Sequence, residues 1–202
     1  MTARWTVVVP VKPAAVGKSR LDVPGVDRVA LARAIALDTI AAAAACGAVS
    51  QVVVVGDDGG LVMLAADIPG LRFVPEDEPA GLDAAVALGV EGFTGFRAAL
   101  LGDLPSLRPE DLAAALTLAE AHDRAVVADA EGTGSTLVTA APDVPWESSF
   151  GDGSFARHVA LGCVALRVPD ASTLRRDVDT RDQLLEAREL GLGPRTAGLL
   201  ER

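Results

Sequence analysis

The chain alternates short, wholly apolar runs with longer stretches whose apolar residues recur at helical spacing. Arg4 to Val11 is a continuous apolar run of the kind that forms a strand buried on both faces. Gln51 to Val55 predicts a second such strand, closed by the turn residues Gly56-Asp57-Asp58-Gly59. Shorter strands are predicted at Leu71–Val74, Arg97–Leu101, Ala125–Ala128, Ser135–Ala140 and Cys163–Val168. Between them, Gly25–Cys46 carries a broad apolar face through Val26, Ala30, Leu37, Ile40, Ala41 and Ala44 and predicts a long helix. Gly81–Val90 and Ser154–Leu161 predict shorter helices. Pro109–His122 is the clearest one: Pro109 suits a first turn, Glu110 and Asp111 favour the positive end of the helix dipole, and Leu112, Ala115, Leu116 and Ala119 share one face. Thr180–Leu190 opens with Thr180-x-x-Gln183, a capping box. The last dozen residues, with three glycines and a proline, read as a loose tail.

Strands and helices alternating at this spacing require crossover connections. They predict a single α/β domain over residues 1–202, a three-layer αβα sandwich with a mostly parallel sheet. Ligands of such sheets bind beyond the carboxyl ends of the strands. That rule selects the loops after Val11, Val55 and Leu101.

Composition narrows the partners. Half of the 202 residues are hydrophobic, enough for one full core, and the net charge of −10 argues against a nucleic-acid partner. No apolar run reaches the length of a membrane span, and the N-terminal residues lack the pattern of a signal peptide. Cys46 and Cys163 are expected to be small, reduced core residues in a cytoplasmic protein. Of the 18 basic residues only Lys12 and Lys18 are lysines, and both fall in the loop after the first strand.

That loop contains Gly17-Lys18-Ser19 but is no P-loop. Lys12 stands where the first glycine should be, Pro13 removes an N–H, and Val23-Pro24-Gly25 break the helix that should follow. With Lys12, Lys18 and Arg20 preceding any acid, it reads as an anion site suited to a triphosphate. Gly102-Asp103-Leu104-Pro105 puts a carboxylate just past a buried strand, where Mg²⁺ could share it with phosphate oxygens. Asp177 and Asp179, two apart in an extended segment, point to the same side and repel unless a cation intervenes. Asp179 and Thr180 also suit a plain helix start. Phe150-Gly151-Asp152-Gly153-Ser154 precedes a helix and reads either as an anion-binding turn or as a glycine turn capped by Ser154. His158, one turn further on, reads as a packed or surface histidine without assigned chemistry. A cationic loop, carboxylates for Mg²⁺ and a second anion pocket, without a protein nucleophile, suit transfer between two phosphorylated molecules.

Together, Val9-Pro10-Val11-Lys12-Pro13, Gly17-Lys18-Ser19-Arg20-Leu21, Gly102-Asp103-Leu104-Pro105, Phe150-Gly151 with Ser154-Phe155 and His158, and Asp177-Val178-Asp179-Thr180 resemble the 2-phospho-L-lactate or phosphoenolpyruvate guanylyltransferases of coenzyme F420 biosynthesis. The resemblance spans nearly the whole chain and extends to the wider GT-A-type nucleotidyltransferases. It implies GTP against Lys12, Lys18, Ser19 and Arg20, with Lys12, Lys18 and Asp103 acting in catalysis. It implies Mg²⁺ on Asp103, Asp177 and Asp179, and phosphoenolpyruvate or 2-phospho-L-lactate against Thr136, Gly151 and Ser154. Where relatives carry Gly-Leu-Asn near the base, this chain has Gly81-Leu82-Asp83, and Asp83 could accept from guanine N1–H and its 2-amino group. A downstream transferase of the same pathway is an implied partner. A cytidylyl- or sugar-phosphate nucleotidyltransferase, and a nucleotide-binding regulatory module without turnover, remain open beside this reading.

Overall fold

A computed structural model describes residues 4–12, 20–56, 59–76 and 80–201. Seven strands form one sheet: β1 (Trp5–Pro10), β2 (Val49–Val55), β3 (Leu71–Val74), β4 (Phe96–Leu100), β5 (Arg124–Ala128), β6 (Ser135–Ala140) and β7 (Val164–Ala165). Their order is β3-β2-β1-β4-β6-β5-β7. Only β6 runs against its neighbours β4 and β5; the other pairings are parallel. The helices are α1 (Arg28–Ala45), α2 (Gly59–Leu64), α3 (Leu82–Val90), α4 (Pro109–Ala119), α5 (Ser154–Ala160), α6 (Arg181–Leu190) and α7 (Pro194–Leu200).

The three layers follow from the apolar pattern. Successive side chains of β1 point to opposite faces. Val7 and Val9 pack with Leu37 and Ile40 of α1 and Leu112 and Leu116 of α4, whereas Val8 packs with Val86 and Val90 of α3. Since both faces of the strand are covered, its sequence is apolar throughout. Helix α1 is buried on a second side as well: Leu31 and Ile35 meet Val178 and Leu184, with Leu200 packed alongside. An 18-residue helix held from two sides needs apolar and small residues around most of its circumference, which explains its alanine content. Cys46 and Cys163 are free and buried.

Two local readings change. The late strand predicted over Cys163–Val168 shrinks to Val164–Ala165, because only that stretch finds a partner on β5. The predicted loose tail is instead helix α7, capped from a distance. The Asp38 carboxylate, on α1, accepts from Arg195 N–H at 3.1 Å and Thr196 N–H at 2.8 Å, in the first turn of α7. Asp38 is 5% exposed. Gly193 lies so close that a β-carbon there would overlap this carboxylate, and its N–H donates to Pro105 O at 2.7 Å. The C-terminal segment thereby braces the loop that follows β4. Among the described residues, no helix is long and apolar enough to cross a membrane.

Replacing Asp38 strands buried N–H groups of α7. Asp38→Ala is expected to lower stability by about 1–3 kcal/mol, read as a lower urea midpoint with an unchanged denaturant slope.

Candidate active site

A cavity of about 580 Å³ opens at the carboxyl ends of β1 and β4. Pro10, Val11 and Lys12 form one wall and Leu101, Gly102 and Asp103 the adjoining one. The two strand ends come close: a β-carbon at Gly102 would press on Pro10 O and the Val9 and Val11 side chains at 3.3–3.4 Å. A side chain at Gly56 would run into the Val11 carbonyl, so glycine just after β2 leaves room for the chain to pass from β1 to Lys12. Lys12 is exposed at the mouth. Arg20 is exposed but outside the cavity lining, while Lys18 and Ser19 lie outside the described residues. Helix α1 starts only at Arg28, unlike the helix that directly follows a P-loop. Arg33, on α1, lines the cavity and was not singled out by the sequence; nothing in its helical spacing distinguishes it from a surface arginine.

The three acids read as metal ligands do converge. One carboxylate oxygen from each of Asp103, Asp177 and Asp179 lies within 4.8 Å of the others. The extended segment explains how. Val178 points into the core between Leu31 and Ile35 while its two neighbours point the other way, and its N–H donates to Asp103 O at 3.0 Å. The capping box then forms on Thr180 and Gln183, whose Oε1 also accepts from Asp179 N–H at 2.9 Å. Helix start and carboxylate cluster therefore coexist.

Asp129 joins the cluster from the loop after β5, with one oxygen near Glu131 and Asp177. Its carboxylate accepts from Thr133 N–H at 2.8 Å and Gly134 N–H at 2.6 Å, closing that loop. Burial, and then the negative charges of Asp103, Asp129 and Glu131, push the Asp177 carboxyl up to about 7. One Asp177 oxygen is buried without a hydrogen-bond partner. Oxygens bound to one Mg²⁺ at about 2.1 Å lie about 3 Å apart when adjacent and about 4.2 Å when opposite. The spacing, the all-oxygen donor set and the buried Asp177 oxygen all suit such a hard cation.

The opposite wall is built from Thr133, Gly134 and Ser135 and from Phe150 to Ser154. Thr136 stands behind it: fully buried and outside the lining, it is the extra residue of a bulge, since Val127 pairs with Leu137 but Ala128 with Ser135. The bulge brings Ser135 toward the α5 side, 2.9 Å from His158 Nδ1. Gly151 and Ser154 do line the cavity, but the N-cap is Gly153, not Ser154. The N–H groups of Ser154 and Phe155 already donate to Gly151 O and Thr133 O. Asp83 is not in the lining. Its carboxylate accepts from Ser148 Oγ–H at 2.7 Å and Phe150 N–H at 3.1 Å, which anchors the 148–150 segment to α3. Arg157 holds the same segment through the carbonyls of Ser149, Phe150 and Asp152.

Comparison with known proteins places this architecture among nucleotidyltransferases. A nucleotidyl transferase from Methanothermobacter superposes with a TM-score of 0.63 at 18% identity, covering 94% of this chain and 97% of that one. The 4-diphosphocytidyl-2C-methyl-D-erythritol synthase of Anaerococcus prevotii gives a TM-score of 0.60 at 12% identity, with both chains covered fully. At these identities the likeness concerns the fold, that of the nucleotide-diphospho-sugar transferase type. A family model described as "Guanylyl transferase CofC like" matches residues 5–201. The chain belongs to this family. It is 48% identical to the phosphoenolpyruvate guanylyltransferase of Salinispora arenicola, covering 98% of this chain and 94% of that protein. With the phosphoenolpyruvate guanylyltransferase of Thermomonospora curvata it shares 44% identity, covering 98% and 89%.

The folded chain holds the Asp177 proton more tightly than the unfolded chain, whose carboxyl titrates near 3.8. Raising the pH from about 4 through about 7 therefore removes stability at this site. In chelator, the melting temperature of the wild type is expected to fall more between about pH 5.5 and about pH 8 than that of Asp177→Asn. Millimolar Mg²⁺ is expected to recover more of the wild-type loss at the higher pH, as followed by scanning calorimetry.

Proposed function

We propose that this chain transfers GMP from GTP to phosphoenolpyruvate, giving enolpyruvoyl-diphospho-guanosine and pyrophosphate for coenzyme F420 biosynthesis in the cytoplasm. The observation that carries the reading is the full-length, 48% identical relative that bears this activity in its name. The cavity supports it with cationic Lys12 and Arg33 on one side and the Asp103, Asp177 and Asp179 carboxylates on another.

In this reading Lys12, with Lys18, Ser19 and Arg20 from the segment that follows it, binds the nucleotide phosphates. A phosphate oxygen of the acceptor bonds to the α-phosphorus of GTP. The bond from that phosphorus to the bridging oxygen breaks, and pyrophosphate leaves with the electron pair. The attacking phosphate is already anionic, so no general base is required. Asp103, Asp177 and Asp179 would hold Mg²⁺, which would neutralise phosphate charge. The acceptor meets the wall of Gly151, Ser154 and Ser135, which Asp83 and Arg157 hold from behind. 2-Phospho-L-lactate offers the same phosphate and carboxylate and is the alternative acceptor.

Ser135 and His158 resemble the start of a nucleophilic pair, since Ser135 Oγ lies 2.9 Å from His158 Nδ1. Yet Ser149 N–H donates to His158 Nε2 at 2.9 Å, which takes the only lone pair a neutral imidazole has. The ring has nothing with which to accept a serine proton. Direct transfer, without a seryl intermediate, follows.

The purified chain is expected to release pyrophosphate from GTP with phosphoenolpyruvate and Mg²⁺, with the product identified by mass. 3-Phosphoglycerate should be inert, and CTP a poor donor. Asp103→Asn and Asp179→Asn are expected to abolish turnover while the melting profile persists. Full activity in either variant would remove the metal assignment.

A further inference from the structure

We infer that His158 fixes the direction of the Ser135 hydroxyl, so that Ser135 donates a hydrogen bond to the anionic acceptor held in the cavity. The inference rests on the proposed transfer to a phosphorylated acid and adds a residue that binds it.

His158 is fully buried. A backbone N–H is always a donor, so the 2.9 Å contact from Ser149 N makes Nε2 the acceptor nitrogen of the ring. The proton then sits on Nδ1, and Nδ1–H donates to Ser135 Oγ at 2.9 Å. Burial pulls His158 below its usual range, consistent with a neutral ring. Ser135 Oγ retains one hydrogen. Among the described residues Ser135 meets no second side chain or carbonyl that could take it, yet Ser135 belongs to the cavity wall with Gly134, Gly151 and Ser154. Ser135 is only 2% exposed and lines the cavity, so we place this hydrogen toward whatever fills it. Phosphate and carboxylate oxygens only accept, and they match such a donor.

The arrangement is stiff. The bulge at Thr136 sets the direction of Ser135. The Phe150 ring stands edge-on to the imidazole, with centroids 4.9 Å apart. Through Ser149 N–H, the same ring links Ser135 to the segment that carries Phe150 and Gly151. One imidazole thus ties together two parts of the acceptor wall, as a positioning residue.

The test combines a spectrum with kinetics on the full chain. Nitrogen-15 spectra of labelled protein without substrate are expected to show His158 as the neutral Nδ1–H tautomer across neutral pH. Ser135→Ala and His158→Phe are each expected to raise KM for phosphoenolpyruvate about tenfold or more, the scale of a hydrogen bond to a charged group. KM for GTP should change less than about twofold in both variants. His158→Asn, which keeps an N–H near the Nδ1 position, should recover part of the loss. An Nε2–H tautomer, an imidazolium, or an unchanged acceptor KM in Ser135→Ala would overturn the inference, even where the wild type transfers GMP. A wild type that binds phosphoenolpyruvate without turnover would instead sink the reaction. Calorimetric affinity for phosphoenolpyruvate in Ser135→Ala would then decide the hydroxyl's role, a loss of about tenfold or more supporting it and no loss overturning it.

Discussion

Mutual repulsion among carboxylates at the end of the sheet is the constraint around which the molecule is arranged. Asp103, Asp177 and Asp179 bring oxygens within 4.8 Å of one another, and Asp177 shares a second such group with Asp129 and Glu131. Held that close in a partly buried site, they destabilise the fold until a proton or a cation compensates. The raised Asp177 carboxyl is the protonated answer; in the proposed function a divalent cation is the other. An enzyme that must gather phosphate charge from two substrates gains from such a site, because it is incomplete without positive charge.

Strain of this kind persists only where the surroundings hold it. The loop bearing Asp103 is held on three sides. Leu104 N–H donates to Thr39 Oγ1 at 3.0 Å, Pro105 O accepts from Gly193, and Asp103 O accepts from Val178. Val178 is itself locked into the cluster between α1 and α6. The C-terminal helix helps to position the Asp103 loop, since its cap on Asp38 sets where Gly193 can reach.

The opposite wall follows a different logic. Its lining includes Asp152 and no cation; Asp83, Arg157 and His158 occupy donors and acceptors at its back. Three side chains from two helices thus determine which polar groups of the 148–154 segment remain for a ligand. A hydroxyl or amide in a flexible loop can turn to suit many partners, whereas one whose other bonds are already made offers a single polarity.

Much of this was legible in the chain itself. Continuous apolar runs marked the strands, since a strand covered on both faces has no polar side to show. Local chemistry marked the capping box at Thr180 and the paired acids beside it, because their spacing alone determines which way they point. Asp38, Ser135 and the tail could not be read so. Asp38 caps a helix 157 residues away, and no local pattern records a cap supplied from another element. A one-residue bulge brought Ser135 onto the wall, and pairing register is a property of two strands together. Asp83 holds a loop because tertiary packing brings Ser148 and Phe150 to it. The sequence by itself determined the elements and the charges at their ends. Only the folded chain decided which of those groups remain available to a substrate, because a polar group's free valences depend on every partner that packing brings to it.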